Sequence, residues 1–149
     1  MAIHYTNELI FDLPEQFLDK TNHIFSLTHE SPSEFNIVIN HNPIDKNESL
    51  QSYGERMVHE LKKALPQFKL LITNYDITIV KHPALKLCYS WTQEGRVLHQ
   101  TQISFFYDDE SGEPHVMQIA GTALNNLSDK WEAVFTKILN SMKLRQASN

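Results

Sequence analysis

Cysteine and glycine are scarce in this sequence, and so are runs of charge. The single cysteine, Cys88, excludes an internal disulfide, which small secreted domains commonly use. The four glycines are isolated, so neither a P-loop nor a dinucleotide-binding fingerprint can form. No basic run exceeds Lys62-Lys63 and the formal net charge is −5. Nucleic acid and anionic membranes are therefore disfavoured as partners.

Long apolar runs are also missing. No stretch approaches the ~20 apolar residues of a membrane-spanning helix, and the first residues show neither the basic nor the apolar region of a signal peptide. We therefore expect a cytoplasmic protein with no stable membrane insertion. Hydrophobic residues at 41% and charged residues at 21% are typical of a globular chain. The length predicts one domain over residues 1–144, with residues 145–149 as a frayed tail.

The patterns that would indicate catalysis or metal binding are incomplete. His59-Glu60 begins like a zinc-protease helix, but Lys63 occupies the position of the second ligand. The acidic stretch 108–114 lacks the alternating register of a calcium loop and is typical of a solvated turn. Cys88 lies in the middle of a predicted strand, with neither a helix N-terminus nor a basic neighbour in the sequence, which is typical of a packed thiol and not of a nucleophile. We expect a protein without a cofactor or metal that is not an enzyme.

Apolar residues alternate along several segments and follow a helical period along two others. A helix is predicted from about Asn47 to Leu65, with Asn47 or Ser49 as its N-cap and Pro66 ending it. A second helix begins at Ser128. Gly95 should supply a positive φ in a hairpin turn. The strands are predicted at residues 9–11, 22–29, 35–40, 68–72, 76–80, 85–92, 97–107 and 115–121.

These elements predict an α+β fold, with a mostly antiparallel, curved β-sheet and two amphipathic helices packed on one face. If Leu87 and Tyr89 face the helices, their alternates face away. If Ile103 and Phe105 of the long strand are core residues, the residues that alternate with them also belong to the away face. Its predicted members are Ile24, Ser26, Val38, Cys88, Ser90, Leu98, Gln100, Gln102, Ser104 and Phe106, with Lys86 as the only charge.

A solvated sheet face normally carries many charged residues. The predicted away face is small, neutral and partly apolar, which suits an apolar partner that also offers hydrogen bonds. Two interpretations stay open at this point. The face binds such a partner, or a loop or a second subunit covers it.

Several stretches of the sequence together resemble the Eag family, the effector-associated chaperones of type VI secretion systems, which have a DcrB/PsbP-like fold. The resemblance covers nearly the whole chain. It rests on Leu13-Pro14, Ile24-Phe25, Leu65-Pro66-Gln67-Phe68-Lys69-Leu70, Trp91-Thr92-Gln93-Glu94-Gly95-Arg96, Gln102 and Trp131.

The resemblance implies a small cytosolic homodimer that binds the N-terminal hydrophobic transmembrane region of a cognate secreted effector before export. Ile24, Leu65 and Gln102 match positions that line the family's client surface. Two residues depart from the family pattern. Asn22 stands where an aliphatic residue is expected, and Met57 stands where a polar residue is expected. Combined with the away face, the predicted client-binding residues are Ile24, Val38, Leu65, Leu98, Gln100, Gln102 and Ser104.

Two other functions fit the same elements. The chain could be a generic protein-interaction module of this fold with an unrelated partner. It could also be an enzyme or small-ligand binder with a pocket near His99, Tyr89 and Trp91, although the away face offers no carboxylate for catalysis. A neighbouring gene that encodes an effector with an N-terminal apolar segment would favour the chaperone.

Overall fold

The computed structural model describes residues 2–6, 8–30, 33–124 and 128–145. It confirms the α+β class, with two helices and two antiparallel sheets. In chain order, the elements are β1 (Ala2–Tyr5), β2 (Ile10–Leu13), β3 (His23–Ser26), β4 (Phe35–Pro43), α1 (Leu50–Ala64), β5 (Lys69–Ile79), β6 (His82–Gln93), β7 (Arg96–Asp108), β8 (Pro114–Leu124) and α2 (Ser128–Ser141).

The main sheet has six strands in the order β3-β4-β8-β7-β6-β5, and every neighbouring pair is antiparallel. β1 and β2 pair only with each other and form a separate two-stranded sheet. The sequence prediction missed β1. The two predicted strands between residues 68 and 80 are one strand, β5, whose register shifts at Leu70/Ile72 and Asn74/Ile77.

The two helices lie on opposite faces of the main sheet, so the prediction that both pack on one face is wrong. Neighbouring residues of β6 show this, because successive side chains of a strand point to opposite faces. Leu85 is buried in the cluster that contains α1, whereas Ala84 is buried in the cluster that contains α2. Lys86, on the side of Ala84, has its Nζ 3.5 Å from a carboxylate oxygen of Glu132 in α2.

The error has a simple physical origin. Leu87 and Tyr89 do face a helix, and so do Ile103 and Phe105, as predicted. However, Leu87 pairs with Gln102, whereas Ile103 pairs with Lys86, so the two apolar rows point to different faces and each meets its own helix. Alternation within a strand identifies a row that faces a helix, but it does not say which helix.

α1 begins where the sequence predicts. Ser49 is the N-cap, and its Oγ accepts a hydrogen bond from the Ser52 backbone N–H at 3.0 Å. The Ser52 hydroxyl accepts in return from the Ser49 backbone N–H at 3.2 Å, which completes a capping box. The helix ends at Ala64, and its C-cap Leu65 is extended because the residue before a proline, here Pro66, avoids the helical region.

α1 approaches the sheet closely at Gly54. A Cβ built there would lie 2.5 Å from Tyr75 Oη and 2.7 Å from Leu85 Cδ2, and Leu85 is fully buried. We predict that Gly54→Ala destabilises the protein by about 1–3 kcal/mol, because overpacking outweighs the ~1 kcal/mol that alanine gains in helix propensity. Urea denaturation of the two proteins measures the difference. An unchanged or higher free energy of unfolding would show that α1 has room to move away from the sheet.

α2 packs through aromatic rings against β4 and β8. The ring of Trp131 stacks on Phe35 at a centroid distance of 5.2 Å, and Phe135 meets Phe35 edge-on at 6.0 Å. Gly121 of β8 leaves room for both Phe35 and Phe135.

In the described part of the chain, no helix combines the length and apolarity needed to span a membrane. The predicted frayed tail lies outside the described residues except for Arg145.

Candidate functional site

Six of the seven predicted client-binding residues lie on the sheet face that carries α1, here called the α1 face. These six are Ile24, Val38, Leu98, Gln100, Gln102 and Ser104. The seventh, Leu65, caps the C-terminus of α1 and packs against the core below that helix. The predicted away face is wrong at Lys86, Cys88 and Ser90, which pair with Ile103, Thr101 and His99 and lie on the α2 side.

The strand register joins these residues into rows that cross the sheet. In one row, Ile24 is opposite Val38, Val38 opposite Ala120, and Ala120 opposite Gln102. In the neighbouring row, Ser26, Asn36, Thr122, Gln100 and Tyr89 follow one another in the same way. Paired side chains on one face are close neighbours. Five strands thus contribute to one continuous surface.

Side-chain hydrogen bonds link the polar members of the two rows. Thr122 Oγ1 donates to Gln100 Oε1 at 2.8 Å, and Gln100 Nε2 donates to Tyr89 Oη at 2.5 Å. Tyr89 Oη then donates to Gln102 Oε1 at 3.1 Å, and Gln102 Nε2 is 3.5 Å from Ser104 Oγ. This polar stripe of Gln100, Gln102, Ser104, Thr122 and Tyr89 fixes the orientation of both glutamine amides.

α1 covers only part of the α1 face. The covered part includes Gln102, Ser104 and Val116, which are buried together with Leu87 and Tyr53. The part toward β3 is not covered by α1 and is here called the open face. Its residues are half-buried or exposed, and they are Ile24, Ser26, Asn36, Val38, Gln100, Ala120 and Thr122.

The α1 face has no ionisable carboxylate, lysine or arginine at the positions described on β3, β4 and β8, or between Leu98 and Phe106 of β7. The ionisable groups at the covered part of this face are two tyrosines, Tyr89 of β6 and Tyr53 of α1. Burial raises the pKa of the Tyr89 hydroxyl, and proximity to Tyr53 adds to the effect. Burial also raises the pKa of Tyr53, against hydrogen bonds from Gln118 and Ser104. Both groups are neutral at physiological pH.

Two asparagines of β4 bring hydrogen-bonding capacity that the described residues do not use. The Oδ1 atoms of Asn36 and Asn40 are enclosed and have no hydrogen-bond partner there. Both lie on the α1 face, on either side of Val38. An unpaired buried polar atom costs free energy, so a donor that reached either amide would gain a full hydrogen bond.

The sequence prediction missed the β8 and α1 contributors to this face. Ala120 and Thr122 form its floor, and Gln118 donates a hydrogen bond from its Nε2 to the Tyr53 hydroxyl of α1. The signal was present in the sequence. Gln118, Ala120 and Thr122 alternate along β8 with Ile119 and small residues that face α2.

Gln102, one of the predicted client-binding residues, lies in the covered part and is only 6% exposed. We predict that Gln102→Ala lowers the free energy of unfolding by about 1–3 kcal/mol, because the buried Tyr89 hydroxyl loses its acceptor. Thermal or urea denaturation measures this. Gln51→Ala, at an exposed position of α1, is the matched control and should change stability little. Equal effects of the two substitutions would show that the network contributes nothing.

The pocket considered near His99, Tyr89 and Trp91 does not form, because the sheet separates its members. His99 lies on the α2 face, whereas the tyrosine and tryptophan lie on the α1 face.

Beneath α2 there is a separate recess of about 150 Å³, lined among others by Ile103, Phe135 and the Lys86–Glu132 ion pair. Among the described residues, no three His, Cys, Asp or Glu side chains cluster as metal ligands would.

The fold and this surface define a small α+β protein whose antiparallel sheet, between two helices, presents one neutral and partly open face. The chain belongs to the DcrB family, whose family profile matches residues 8–141. None of the curated proteins matches the sequence significantly.

Two solved structures with similar folds come from Pseudomonas aeruginosa and Mycobacterium tuberculosis. A protein of unknown function from Pseudomonas aeruginosa, PA94, has a TM-score of 0.76 at 23% identity and covers 99% of each chain. LpqN, involved in cell envelope biogenesis of Mycobacterium tuberculosis, has a TM-score of 0.57 at 14% identity and covers 83% of each chain. At these identities, both similarities establish the fold alone.

Proposed function

We propose that this protein is a cytoplasmic chaperone that binds and shields the N-terminal transmembrane region of a type VI secretion effector before export, and that it is not an enzyme. The observation that carries the proposal is the open face, which is uncharged, partly apolar and lined by oriented amides and hydroxyls. Membership of the DcrB family is consistent with the Eag resemblance of the sequence.

The dimensions of the open face fit a single helix. It extends over β3, β4, β8 and β7, and neighbouring strands lie about 4.8 Å apart, so it is about 14 Å wide. An α-helix with its side chains is about 10–12 Å in diameter. One transmembrane helix could therefore lie between α1 and the β3 edge.

The chemistry of the open face resembles that of a helix neighbour inside a membrane. Transmembrane helices associate through small residues and side-chain hydrogen bonds. Ala120, Ser26 and Thr122 allow close approach, while Gln100 and Asn36 contribute side-chain amides. Ile24 and Val38 add apolar contact. The driving force is the apolar area removed from water, at about 25 cal/mol per Å².

The test uses the protein encoded beside this gene, if its N-terminus is apolar. Co-expression of that N-terminal segment with the tagged full-length chain should give a soluble complex that survives affinity purification. The same segment expressed alone should aggregate. If the segment stays soluble without the chain, or aggregates in its presence, the protein is not its chaperone.

The recess beneath α2 favours a second candidate function, binding of a small ligand. It lies on the other side of the sheet from the open face, so the two functions can be separated by mutation. Thr136 lines the recess and is exposed. A substitution with a bulky side chain, Thr136→Trp, should block a small ligand and leave binding of a transmembrane segment intact.

A further inference from the structure

The recess beneath α2 combines an apolar lining with a single ion pair. Its volume is about 150 Å³. The apolar lining comes from β5, β7 and α2, and consists of Ile77, Ile79, Ile103, Phe135 and Leu139. The charged lining is Lys86 of β6 and Glu132 of α2. A cavity of ~150 Å³ lined by leucine, isoleucine and phenylalanine holds one benzene molecule, so the recess has room for one ring or an aliphatic group of that size.

A bulge in β5 decides which side chain of that strand lies next to Lys86. Asn74 pairs with Lys86, but Ile77 pairs with Ala84, two residues away along β6. In an unbroken ladder, Asp76 would lie opposite Ala84, and its carboxylate would face α2. The extra residue places Ile77 there instead, and bulges re-aim side chains in this way next to functional sites. β5 therefore lines the recess with apolar side chains and keeps its carboxylate away from Lys86.

The Lys86–Glu132 ion pair is loose, and its two members are unequally exposed. Lys86 Nζ is 3.5 Å from Glu132 Oε1, which is longer than the about 2.7–2.9 Å of a charge-assisted hydrogen bond. The lysine side chain is 26% exposed, whereas the glutamate side chain is 48% exposed. The ammonium group, which has three N–H donors, is thus the more enclosed charge. The glutamate carboxylate can turn to water.

This asymmetry favours an anionic ligand over a cationic one. A ligand carboxylate would replace Glu132 as the partner of Lys86, and Glu132 would return to solvent, so no enclosed charge would lose its partner. A ligand ammonium would pair with Glu132 and leave Lys86 enclosed and unpaired, which is costly. The neutral polar residues that line the recess carry hydroxyl and amide groups able to donate to a carboxylate, and they are Thr101, Thr136 and Asn140.

We propose that the recess beneath α2 binds a small monocarboxylate whose apolar body is about the size of a benzene ring. The carboxylate pairs with the Lys86 ammonium, and the body packs against Ile103 and Phe135. This inference rests on the second candidate function, binding of a small ligand, and names the class of that ligand. A ligand of about nine non-hydrogen atoms in a partly open recess should have a dissociation constant on the order of 1 mM.

The test is an NMR titration of the isotope-labelled full-length chain, with no client present. The probes are benzoate, its neutral isostere benzamide, and the cationic benzylamine. Benzoate should shift the backbone amide signals of Thr101, Ile103 and Thr136 saturably and bind about tenfold more tightly than benzamide, since a hydrogen bond to a charged group is the stronger one. Benzylamine should bind more weakly than benzamide.

The three probes distinguish two kinds of failure. Equal affinity for benzoate and benzamide would overturn the carboxylate assignment and leave binding of a small ligand intact. Tighter binding of benzylamine would do the same and would make Glu132 the partner. If none of the probes shifts these signals, both the proposal and the second candidate function fail. No outcome depends on capture of a transmembrane segment, because the recess and the open face lie on opposite sides of the sheet.

Substitutions separate a lysine that binds the ligand from one that only ties α2 to the sheet. Lys86→Met keeps a long unbranched side chain without the charge, and it should remove the preference for benzoate over benzamide. Glu132→Gln breaks the same ion pair but keeps the ammonium, so the preference should remain or increase. If both variants lower the affinity for benzoate equally, the proposal fails. Lys137→Met, at an exposed position of α2 outside the recess, is the matched control and should bind as the wild type does.

Thr136→Trp keeps the proposal testable if Lys86→Met does not fold. The indole should fill the recess and abolish the benzoate shifts while Lys86 and Glu132 stay in place. Benzoate binding to this variant with wild-type affinity would place the site elsewhere and overturn the proposal.

Discussion

Ile24→Asp should abolish capture of the effector's transmembrane segment and leave the melting temperature nearly unchanged. Ile24 is 68% exposed on edge strand β3, so a carboxylate there stays hydrated in the free protein. In the complex, the same carboxylate would lie unpaired against an apolar helix. An uncompensated buried charge costs several kcal/mol, which lowers the affinity by orders of magnitude.

The neighbouring residue of the same strand provides the control. Phe25 is also exposed, but its side chain points to the α2 face. Phe25→Asp therefore introduces the same charge on the same edge strand without touching the open face, and it should retain the client. Affinity capture and thermal denaturation are measured on both variants. If Ile24→Asp melts normally and still captures the segment, the open face is not the client surface. If it unfolds, Ile24 belongs to the core.

Phe135→Ala should lower the free energy of unfolding by about 3–5 kcal/mol, the range for deleting a buried aromatic side chain. The Phe135 side chain is 2% exposed and packs edge-on against Phe35 and over Gly121. Gly121 has no side chain that could fill the cavity left by the substitution. Urea denaturation measures the loss, with Val134→Ala as the control, since Val134 is 39% exposed on the same helix and should lose far less.

Phe135→Ala also separates stability from binding. α2 lies on the opposite face from the open face, so the variant should bind the client with unchanged affinity at temperatures where it is folded. A loss of stability of less than about 1 kcal/mol would show that α2 contributes little to the core. A loss of affinity in the folded variant would show that the client contacts the α2 side.

Local chemistry made much of the fold predictable. The Ser49 cap, the end of α1 before Pro66, and the positive φ of Gly95 all follow from residue-level preferences and are all present in the structure. The hairpin between β6 and β7 turns at Glu94 and Gly95, and both residues have positive φ. These features depend on a few neighbouring residues, so the sequence contains all the information they need.

The candidate site was only partly predictable. Ile24, Val38, Gln100 and Gln102 were correctly placed on one face, because alternation within each strand is a local property. Cys88 and Ser90 were wrongly added to that face, because joining strands into a face requires their pairing register. A shift of one residue in register exchanges the two faces of a strand.

The sequence by itself determined the α+β class, the uncharged row of β7 and the chain segments that form the helices. Only the tertiary structure decided that α1 and α2 lie on opposite faces, that Gln102 is buried under α1 while Gln100 stays partly open, and that β5 forms a bulged edge. The physical reason is that secondary structure depends on residues a few positions apart. Burial depends on which distant segment packs on a given face, and two amphipathic helices fit either face of a sheet whose two sides are both apolar.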